Sequence, residues 1–418
     1  MAATALHNLR RSLEEDRGIP VGVTEGCEYF RLSLERRLPQ EHFDVLDADL
    51  LDELKEDFGQ SIEFQVGPST TASLLKEGTV SDTADDDIQR IKGNDAIRRF
   101  SIKVDKALLA AHLGIDDQCF RPVVYLFEEK LCELLSKRLR VLDRELFETP
   151  FEKILICALD SRVCCTGPMV SITGPDDLQE VQSQIAEVGE RMHRRVESYQ
   201  TAKHQELNWT GFDLECLTPL HLMVSPDGHA KELREDMATA LRRHLFHLCV
   251  LFTADRCEPM KEDEQIQATF AGPERTVGVA LHPQGQISAS DNELVRLARW
   301  PYMGEESGDR LAIVRDVIVR ELDGESDREN YQQLDERLDK ILSSATWHLR
   351  VFVKELIDEH FSQVRNATDY VATVVRDISE RVNLLTSRLT TNLLATLGVV
   401  VLSVLPALLN RAHCRTRS

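Results

Sequence analysis

The segment Leu389–Asn410, LTTNLLATLGVVVLSVLPALLN, decides how the rest of the chain is interpreted. It has 22 residues and no charged side chain. As an α-helix it would be about 33 Å long at 1.5 Å per residue, which matches the hydrocarbon thickness of a bilayer. Pro406 lies near its end, where the lost backbone hydrogen bond is most easily tolerated in lipid.

A buried helix of a soluble domain is the alternative for this segment, but such helices are usually shorter and keep a polar stripe. We therefore predict a single C-terminal transmembrane helix over residues 389–410, with the lipid bilayer as its partner. The side chains predicted to span the membrane are Leu393, Leu394, Leu397, Val399, Val400, Val401, Leu402, Val404, Leu405 and Leu408.

The basic residues around this segment do not settle the direction of insertion. Three arginines precede it and three follow it, so the two sides are equal: Arg376, Arg381, Arg388, Arg411, Arg415 and Arg417. The N-terminal sequence MAATALHNLRRSLEEDRGIP has no apolar core of a secretory signal. We expect a single-pass membrane protein with a cytoplasmic N-terminal bulk and a basic tail over residues 411–418.

Residues 323–388, directly before the predicted span, have the pattern of a long helical coiled stalk. Apolar residues fall at 334, 338, 341 and 345, and then recur in steps of three and four. That spacing is typical of a coiled coil or helix bundle, so we expect self-association through the stalk. The second series forms the predicted seam: Ile357, Phe361, Val364, Val371, Val375, Ile378, Val382 and Leu385.

Residues 97–322 alternate between strand-like and helix-like patterns, which predicts a mixed α/β or α+β domain. The run from Lys153 to Leu159 is short and apolar, as buried strands are. We also predict a strand over 212–224 that is interrupted at Pro219, a strand over 247–252, a hairpin over 265–281, and one helix over 123–147.

The first third of the chain is predicted to be helical and then irregular. Residues 1–66 show approximate three-and-four spacing, including Tyr29, Leu32 and Leu34, which predicts an N-terminal helical segment. Small, hydroxylic and acidic residues dominate 67–96 and predict a flexible acidic linker or loop. Asp82 and Asp85–Asp87 lack the alternating carboxylates and central glycine of an EF-hand, so a solvated acidic loop is preferred there.

Composition narrows the classes of partner. Lys and Arg number 50 and Asp and Glu number 71, for a net charge of −21. That sign argues against binding to a phosphate backbone, so no nucleic acid is expected. Ten cysteines occur without a CxxC pair, which favours reduced thiols in the cytosol.

Two groups of residues are candidates for chemistry. Cys164 and Cys165 follow a predicted strand, where one of them would be placed as a nucleophile. A second group of thiols and imidazoles has ligand types suited to zinc: His244, His247, Cys249 and Cys257. Core packing is the preferred interpretation of both groups, because small thiols are often buried and the spacing fits no zinc finger.

Known catalytic motifs are absent from the sequence. It contains no GxGxxG, GxxxxGK[ST], HExxH or GxSxG motif. His221 and His229 flank Pro226-Asp227-Gly228, which is a plain turn sequence. We therefore predict no cofactor, no metal site and no assigned catalytic residue.

An acidic cytoplasmic domain followed by a long helix that runs into a C-terminal apolar segment resembles the layout of CorA-type magnesium transporters. The resemblance covers roughly 323–410 and implies a cytoplasmic ion-sensing domain and a helix that lines an oligomeric funnel. The Gly-Met-Asn signature and second span of that family do not follow Leu409-Asn410-Arg411. No site residue is therefore carried over.

These patterns support three hypotheses. The leading one is a membrane-anchored, non-enzymatic oligomeric sensor or scaffold whose cytoplasmic domain is coupled by the stalk to the span. The domain would then sense a small ligand or a divalent cation. The alternatives are a divergent CorA-like divalent-cation transporter or channel, and a membrane-anchored enzyme with a thiol site.

Overall fold

The structure is a computed structural model that describes residues 4–34, 37–39, 42, 48–67, 72–76, 79–80, 96–97, 99–115, 120–186, 190–223, 233–260, 265–282, 285–303 and 307–415. The chain divides into two units, Met1–Thr346 and Trp347–Ser418. The first is a mixed α+β unit with several sheets, and the second is helical. The fold class is therefore α+β with a long C-terminal helix, as the sequence predicted.

The described helices are α1 (Thr4–Arg11), α2 (Ala48–Phe58), α3 (Lys106–His112), α4 (Glu128–Leu135), α5 (Leu139–Leu146), α6 (Leu178–Ala186), α7 (Glu190–Gln205), α8 (Glu235–Thr253), α9 (Asp291–Arg299), α10 (Ser307–Glu321), α11 (Asp327–Glu336) and α12 (Leu338–Arg415). The described strands are β1 (Val21–Glu25), β2 (Tyr29–Leu34), β3 (Leu38–Pro39), β4 (Ile62–Gly67), β5 (Ala72–Lys76), β6 (Thr79–Val80), β7 (Ala96–Ile97), β8 (Arg99–Asp105), β9 (Arg121–Tyr125), β10 (Ile154–Ala158), β11 (Cys164–Cys165), β12 (Val170–Thr173), β13 (Asn208–Trp209), β14 (Arg256–Pro259), β15 (Ile266–Ala271) and β16 (Thr276–Leu281).

An antiparallel six-stranded sheet, in the order β1-β2-β8-β4-β5-β6, occupies the N-terminal third. The prediction that residues 1–66 are helical is wrong for β1, β2, β3 and β4. Phe30 and Leu32 are buried while Tyr29 and Arg31 are exposed, which is the period of two that a half-buried strand requires. Tyr29 and Leu32 are three residues apart, so their spacing imitates a helix.

Part of the predicted linker also forms strands. Strands β5 and β6 fall within 67–96, and β7, which pairs with β3, begins at its end. The interpretation of that stretch as a loop is therefore wrong where these strands lie. The acidic residues 82–87 lie outside the described residues.

A four-stranded sheet in the order β11-β12-β10-β9 lies between two hydrophobic cores. Strands β9, β10 and β12 are parallel, and β11 is antiparallel to β12. Along β10, Ile154, Ile156 and Ala158 join the larger core, while Leu155 and Cys157 join the smaller one. The predicted buried strand is confirmed, because its unbroken apolar run supplies both faces.

The single helix predicted over 123–147 is wrong. Strand β9 begins before it, and helices α4 and α5 follow with a break between them. Val123 and Val124 alternate between the larger and the smaller core, as a strand of the central sheet must. Their pairing with β10 therefore overrides the helical spacing of the leucines that follow.

A third sheet, in the order β13-β14-β15-β16, contains the predicted hairpin. Strands β15 and β16 pair from Ile266 with Leu281 to Ala271 with Thr276, which confirms it. The strand predicted at 247–252 is instead part of α8. Residues 244–253 of that helix are all buried, and periodicity cannot distinguish a strand from a helix that is apolar all round. The strand predicted at 212–224 is also wrong, because residues 212–223 form no strand; the predicted interruption at Pro219 coincides with a 3-10 turn over Pro219–His221.

The start of the predicted stalk belongs to the first unit. Leu334 on α11 and Leu338, Ile341 and Ala345 on α12 are buried in the larger core. Helix α11 ends before Arg337, so 323–388 is not one continuous rod. The apolar series beginning at 334 is therefore corrected from a coiled-coil seam to a core-packing face. The remaining domain boundaries stay predictions.

Candidate functional site

The predicted seam lies on the exposed part of α12. Its eight side chains are between 48% exposed at Ile357 and Val364 and 66% exposed at Phe361. An apolar stripe of this length is much larger than the isolated exposed hydrophobic residues that ordinary surfaces carry. Within the second unit, the seam is thus a surface available for packing.

The predicted membrane-spanning side chains are exposed on the same helix. Eight of them range from 47% exposed at Val401 and Val404 to 73% at Leu402. Leu405 and Leu408 lie within the described helix, but their side chains are outside the described part. Among the described residues, Leu338–Val404 is one helix that is long and apolar enough to contain a membrane span. Length and composition alone carry that conclusion.

The hydroxyl groups of this segment are paired within the helix. Thr390, Thr391, Thr396 and Ser403 each donate to the carbonyl four residues earlier, over 2.6 to 2.9 Å. A hydroxyl bonded in this way leaves no unsatisfied donor to be moved into hydrocarbon. The sequence shows where these residues lie, but this pairing emerges only from the helical backbone.

The structure places the two candidate nucleophiles, Cys164 and Cys165, in buried positions. They are neighbours on β11 and face opposite cores, with Cys164 in the smaller and Cys165 in the larger. Burial raises the pKa of Cys165 to about 12, so its thiol is protonated at neutral pH. The preferred interpretation, core packing, agrees with this placement.

The possible zinc ligands also separate. The Sγ atom of Cys249 donates to the carbonyl of Leu294, and that of Cys257 donates to the carbonyl of Leu251. The rings of His244 and His247 lie 6.5 Å apart, with both side chains buried. Among the described residues, no group of three or more His, Cys, Asp or Glu is placed to hold a metal ion.

His221 has a structural role in the 3-10 turn. Its Nδ1 accepts the backbone N–H of Thr218 at 3.0 Å, and its ring packs edge-on against Phe147 at 4.7 Å. Burial lowers the pKa of His221 to about 4, so the ring is neutral at physiological pH. His229 lies outside the described residues.

A buried ion pair that the sequence did not predict joins the first sheet to the central sheet. Lys106 at the start of α3 places its Nζ 2.8 Å from Oε1 of Glu25 at the end of β1. Glu25 also accepts the backbone N–H of Leu126 at 2.7 Å and that of Phe127 at 3.3 Å. The Lys106 ammonium lies 4.0 Å from the ring centroid of Tyr125.

Desolvation dominates the electrostatics of this pair. The side chains of Glu25 and Lys106 are 0% and 2% exposed. Burial raises the pKa of Glu25 and lowers that of Lys106, while their mutual attraction opposes both changes. Because the backbone donors come from the residues just after β9, the pair fixes how the two sheets meet. Its place in the fold is structural.

In the described part of the chain, the side chains considered as nucleophile or zinc ligands lie in buried packing contacts, and α12 carries a long exposed apolar surface. No family model, curated protein or solved structure matches this chain.

Proposed function

We propose that this protein is a membrane-anchored, non-enzymatic oligomeric sensor or scaffold, with its first unit on the cytoplasmic side. The observation that supports it is the exposed apolar surface of α12, which ends in a segment without charge. The first unit senses a ligand or presents a binding surface. The seam assembles several copies of the chain, and the membrane-spanning segment, residues 389–410, holds these copies at the bilayer.

Lipid is the natural solvent for residues 389–410. Complete burial of one Leu or Val side chain contributes about 1.5–3 kcal/mol. The eight described side chains of the span are all roughly half exposed or more, so their transfer into hydrocarbon contributes on the order of 10 kcal/mol. The self-paired hydroxyls remove much of the opposing cost.

Copies anchored in one bilayer with the same orientation must run parallel, so the seam pairs with itself in register. In heptad notation Phe361, Val375 and Val382 take position a, and the remaining seam residues take position d. Four of the five d residues are β-branched, whereas two-stranded coiled coils favour Leu at d. The assembly therefore contains three or more chains.

Membrane association is tested by flotation with liposomes. The full chain is compared with a chain ending at Arg388, and with the full chain bearing Val400→Arg, which adds about 2.5–3.5 kcal/mol to insertion at mid-helix. Val400→Leu is the matched control. The proposal expects the full chain and the control to float, and the shortened chain to remain in the soluble fraction. Equal behaviour of the full and shortened chains would refute it.

Assembly is tested by light scattering on the full chain in detergent. Val375→Glu places a charge in the seam and should reduce the mass to that of a monomer. Thr373→Glu adds the same charge at an outward heptad position and should leave the assembly intact. A monomeric full chain, or an equal response to both substitutions, would refute the oligomeric part of the proposal.

A further inference from the structure

The outer face of the six-stranded sheet carries a polar depression of about 370 Å³. Six side chains from three neighbouring strands line it: Tyr29 and Arg31 on β2, Ser101 and Lys103 on β8, and Glu63 and Gln65 on β4. The residues that alternate with them, such as Phe30, Ile102 and Phe64, are buried in the smaller core. The depression therefore lies on the face of the sheet that this core does not cover.

Two like charges lie opposite each other in this depression. Arg31 on β2 pairs across the strands with Lys103 on β8, and both side chains are exposed. Neither forms an ion pair with another described residue. Like charges directly opposite each other on adjacent strands destabilise a sheet, so this arrangement becomes favourable when an anion lies between them.

The carboxylates beside this pair are engaged elsewhere. Glu63 lies opposite Lys103 on β4, but its Oε1 accepts Nε2 of Gln65 over 2.5 Å. Asp105, the next outward residue on β8, accepts two backbone N–H groups at the start of α3. The lining has two cations against one carboxylate, in a chain whose net charge is −21. This local reversal of sign favours an anionic ligand.

Uncharged donors flank the two cations. Tyr29 precedes Arg31 by two residues, and Ser101 precedes Lys103 by two residues on the antiparallel neighbour. Their hydroxyls therefore lie on opposite sides of the cation pair, each about 7 Å along a strand. A tetrahedral phosphate presents three terminal oxygens to donors in separate directions, whereas a planar carboxylate presents two oxygens on one side.

We propose that this depression binds a small, soluble phosphate monoester. Arg31 and Lys103 hold the phosphoryl group, whose charge of about −1.5 to −2 at neutral pH matches two cations better than that of a carboxylate. The organic part lies against the ring of Tyr29, which is 44% exposed. The volume suits a small ester, because about 150 Å³ already accommodates benzene.

Calorimetry on the full chain in a non-ionic detergent tests the proposal, with titration into empty micelles subtracted. The probe is phenyl phosphate, and its control is benzoate, which joins the same ring to a carboxylate. Phenyl phosphate should bind with a dissociation constant below about 1 mM and at least about fivefold tighter than benzoate, because the phosphate engages both cations. Equal affinities, or phenyl phosphate binding weaker than about 1 mM, would overturn the proposal.

Substitutions locate the contacts. Arg31→Met and Lys103→Met should each weaken phenyl phosphate about tenfold, the size of one charge-assisted hydrogen bond. Lys55→Met removes an exposed lysine of α2 outside the depression and should leave the affinity unchanged. All three residues are exposed, so circular dichroism should show a folded chain in each case. An affinity of Lys103→Met equal to that of Lys55→Met would overturn the assignment.

A third ligand checks the source of the phosphoryl group. Inositol 1,4-bisphosphate reproduces the headgroup of a phosphoinositide lipid, and the proposal expects it to bind no tighter than phenyl phosphate. A preference for it of about tenfold or more would overturn the assignment to a soluble ester in favour of a lipid headgroup. The depression lies in the first unit and its probes need no bilayer. Failure of this proposal therefore leaves the membrane proposal standing, and the reverse also holds.

Discussion

Replacing Lys106 by methionine should destabilise the first unit by about 3–5 kcal/mol, because the substitution leaves a buried carboxylate without its counter-charge. Glu25 is 0% exposed and would retain only its two backbone donors. The unfolding entropy of about 2.1 cal/mol/K per residue gives a unit of this length, Met1–Thr346, a shift of roughly 1.4 °C for each kcal/mol, so the melting temperature should fall by about 4–7 °C. Thermal unfolding followed by far-ultraviolet circular dichroism measures this change.

The double variant Glu25→Gln/Lys106→Met removes both charges and should recover most of the loss, since a neutral pair has no unpaired ion to desolvate. Lys103→Met removes an exposed lysine from strand β8, two residues before its end, and should change stability by less than about 0.5 kcal/mol. The reasoning fails if Lys106→Met behaves like this control, or if the double variant is less stable than the single one.

The single variant should also depend on pH in a defined direction. Burial raises the pKa of Glu25, and without Lys106 nothing of opposite charge counters that effect at close range. The folded state then binds a proton more readily than the unfolded state, so stability is lost as pH rises through the raised pKa. The deficit relative to the unaltered chain should therefore shrink as pH falls from about 8 to about 5. A deficit that grows towards acidic pH would contradict this sign.

Three further results are expected. Asp143→Ala should lower the free energy of unfolding by about 3 kcal/mol, because Asp143 accepts three backbone N–H groups of residues 215–217. Asp143→Asn should lower it less, since one side-chain oxygen remains as an acceptor. Equal midpoints of the two variants in urea unfolding would contradict this. Alkylation of the native chain at neutral pH, followed by peptide mass spectrometry, should label Cys165 and Cys257 far more slowly than alkylation in denaturant, since both are buried; equal rates would contradict their placement. An N-terminal epitope tag should become accessible to antibody only after the plasma membrane is permeabilised, and staining of intact cells would contradict the cytoplasmic side.

Whether a segment was predicted correctly from the sequence depends on how it is buried in the fold. The strand at 154–158 was found because its apolar run is short and ends at a polar turn, and the hairpin at 266–281 because its two strands flank a turn sequence. The end of α8 was missed because a helix buried on every side has no polar stripe. The residues at 334–345 were assigned to the wrong surface, since the same spacing serves a core face and a coiled-coil seam.

The candidate sites divide in a similar way. The terminal apolar segment is local in sequence, so its exposed helix could be predicted from composition alone. Glu25 and Lys106 meet only through the pairing of β1, β2 and β8, which no local pattern encodes. His244 was noticed as a ligand type, but the contact of its Nε2 is with the Leu135 carbonyl of another helix. Tertiary contacts, which local patterns do not contain, decide these two sites.

The central sheet limits where the chain can be shortened without exposing its hydrophobic core. Because β10 supplies alternate side chains to the two cores, a fragment that starts after residue 120 would lose most of the smaller core that contains Leu155 and Cys157. Such a fragment would expose a flat aliphatic surface and aggregate. The N-terminal third is thus required to cover the central sheet of the first unit. Removing it, in a natural or an engineered shorter chain, should yield insoluble protein.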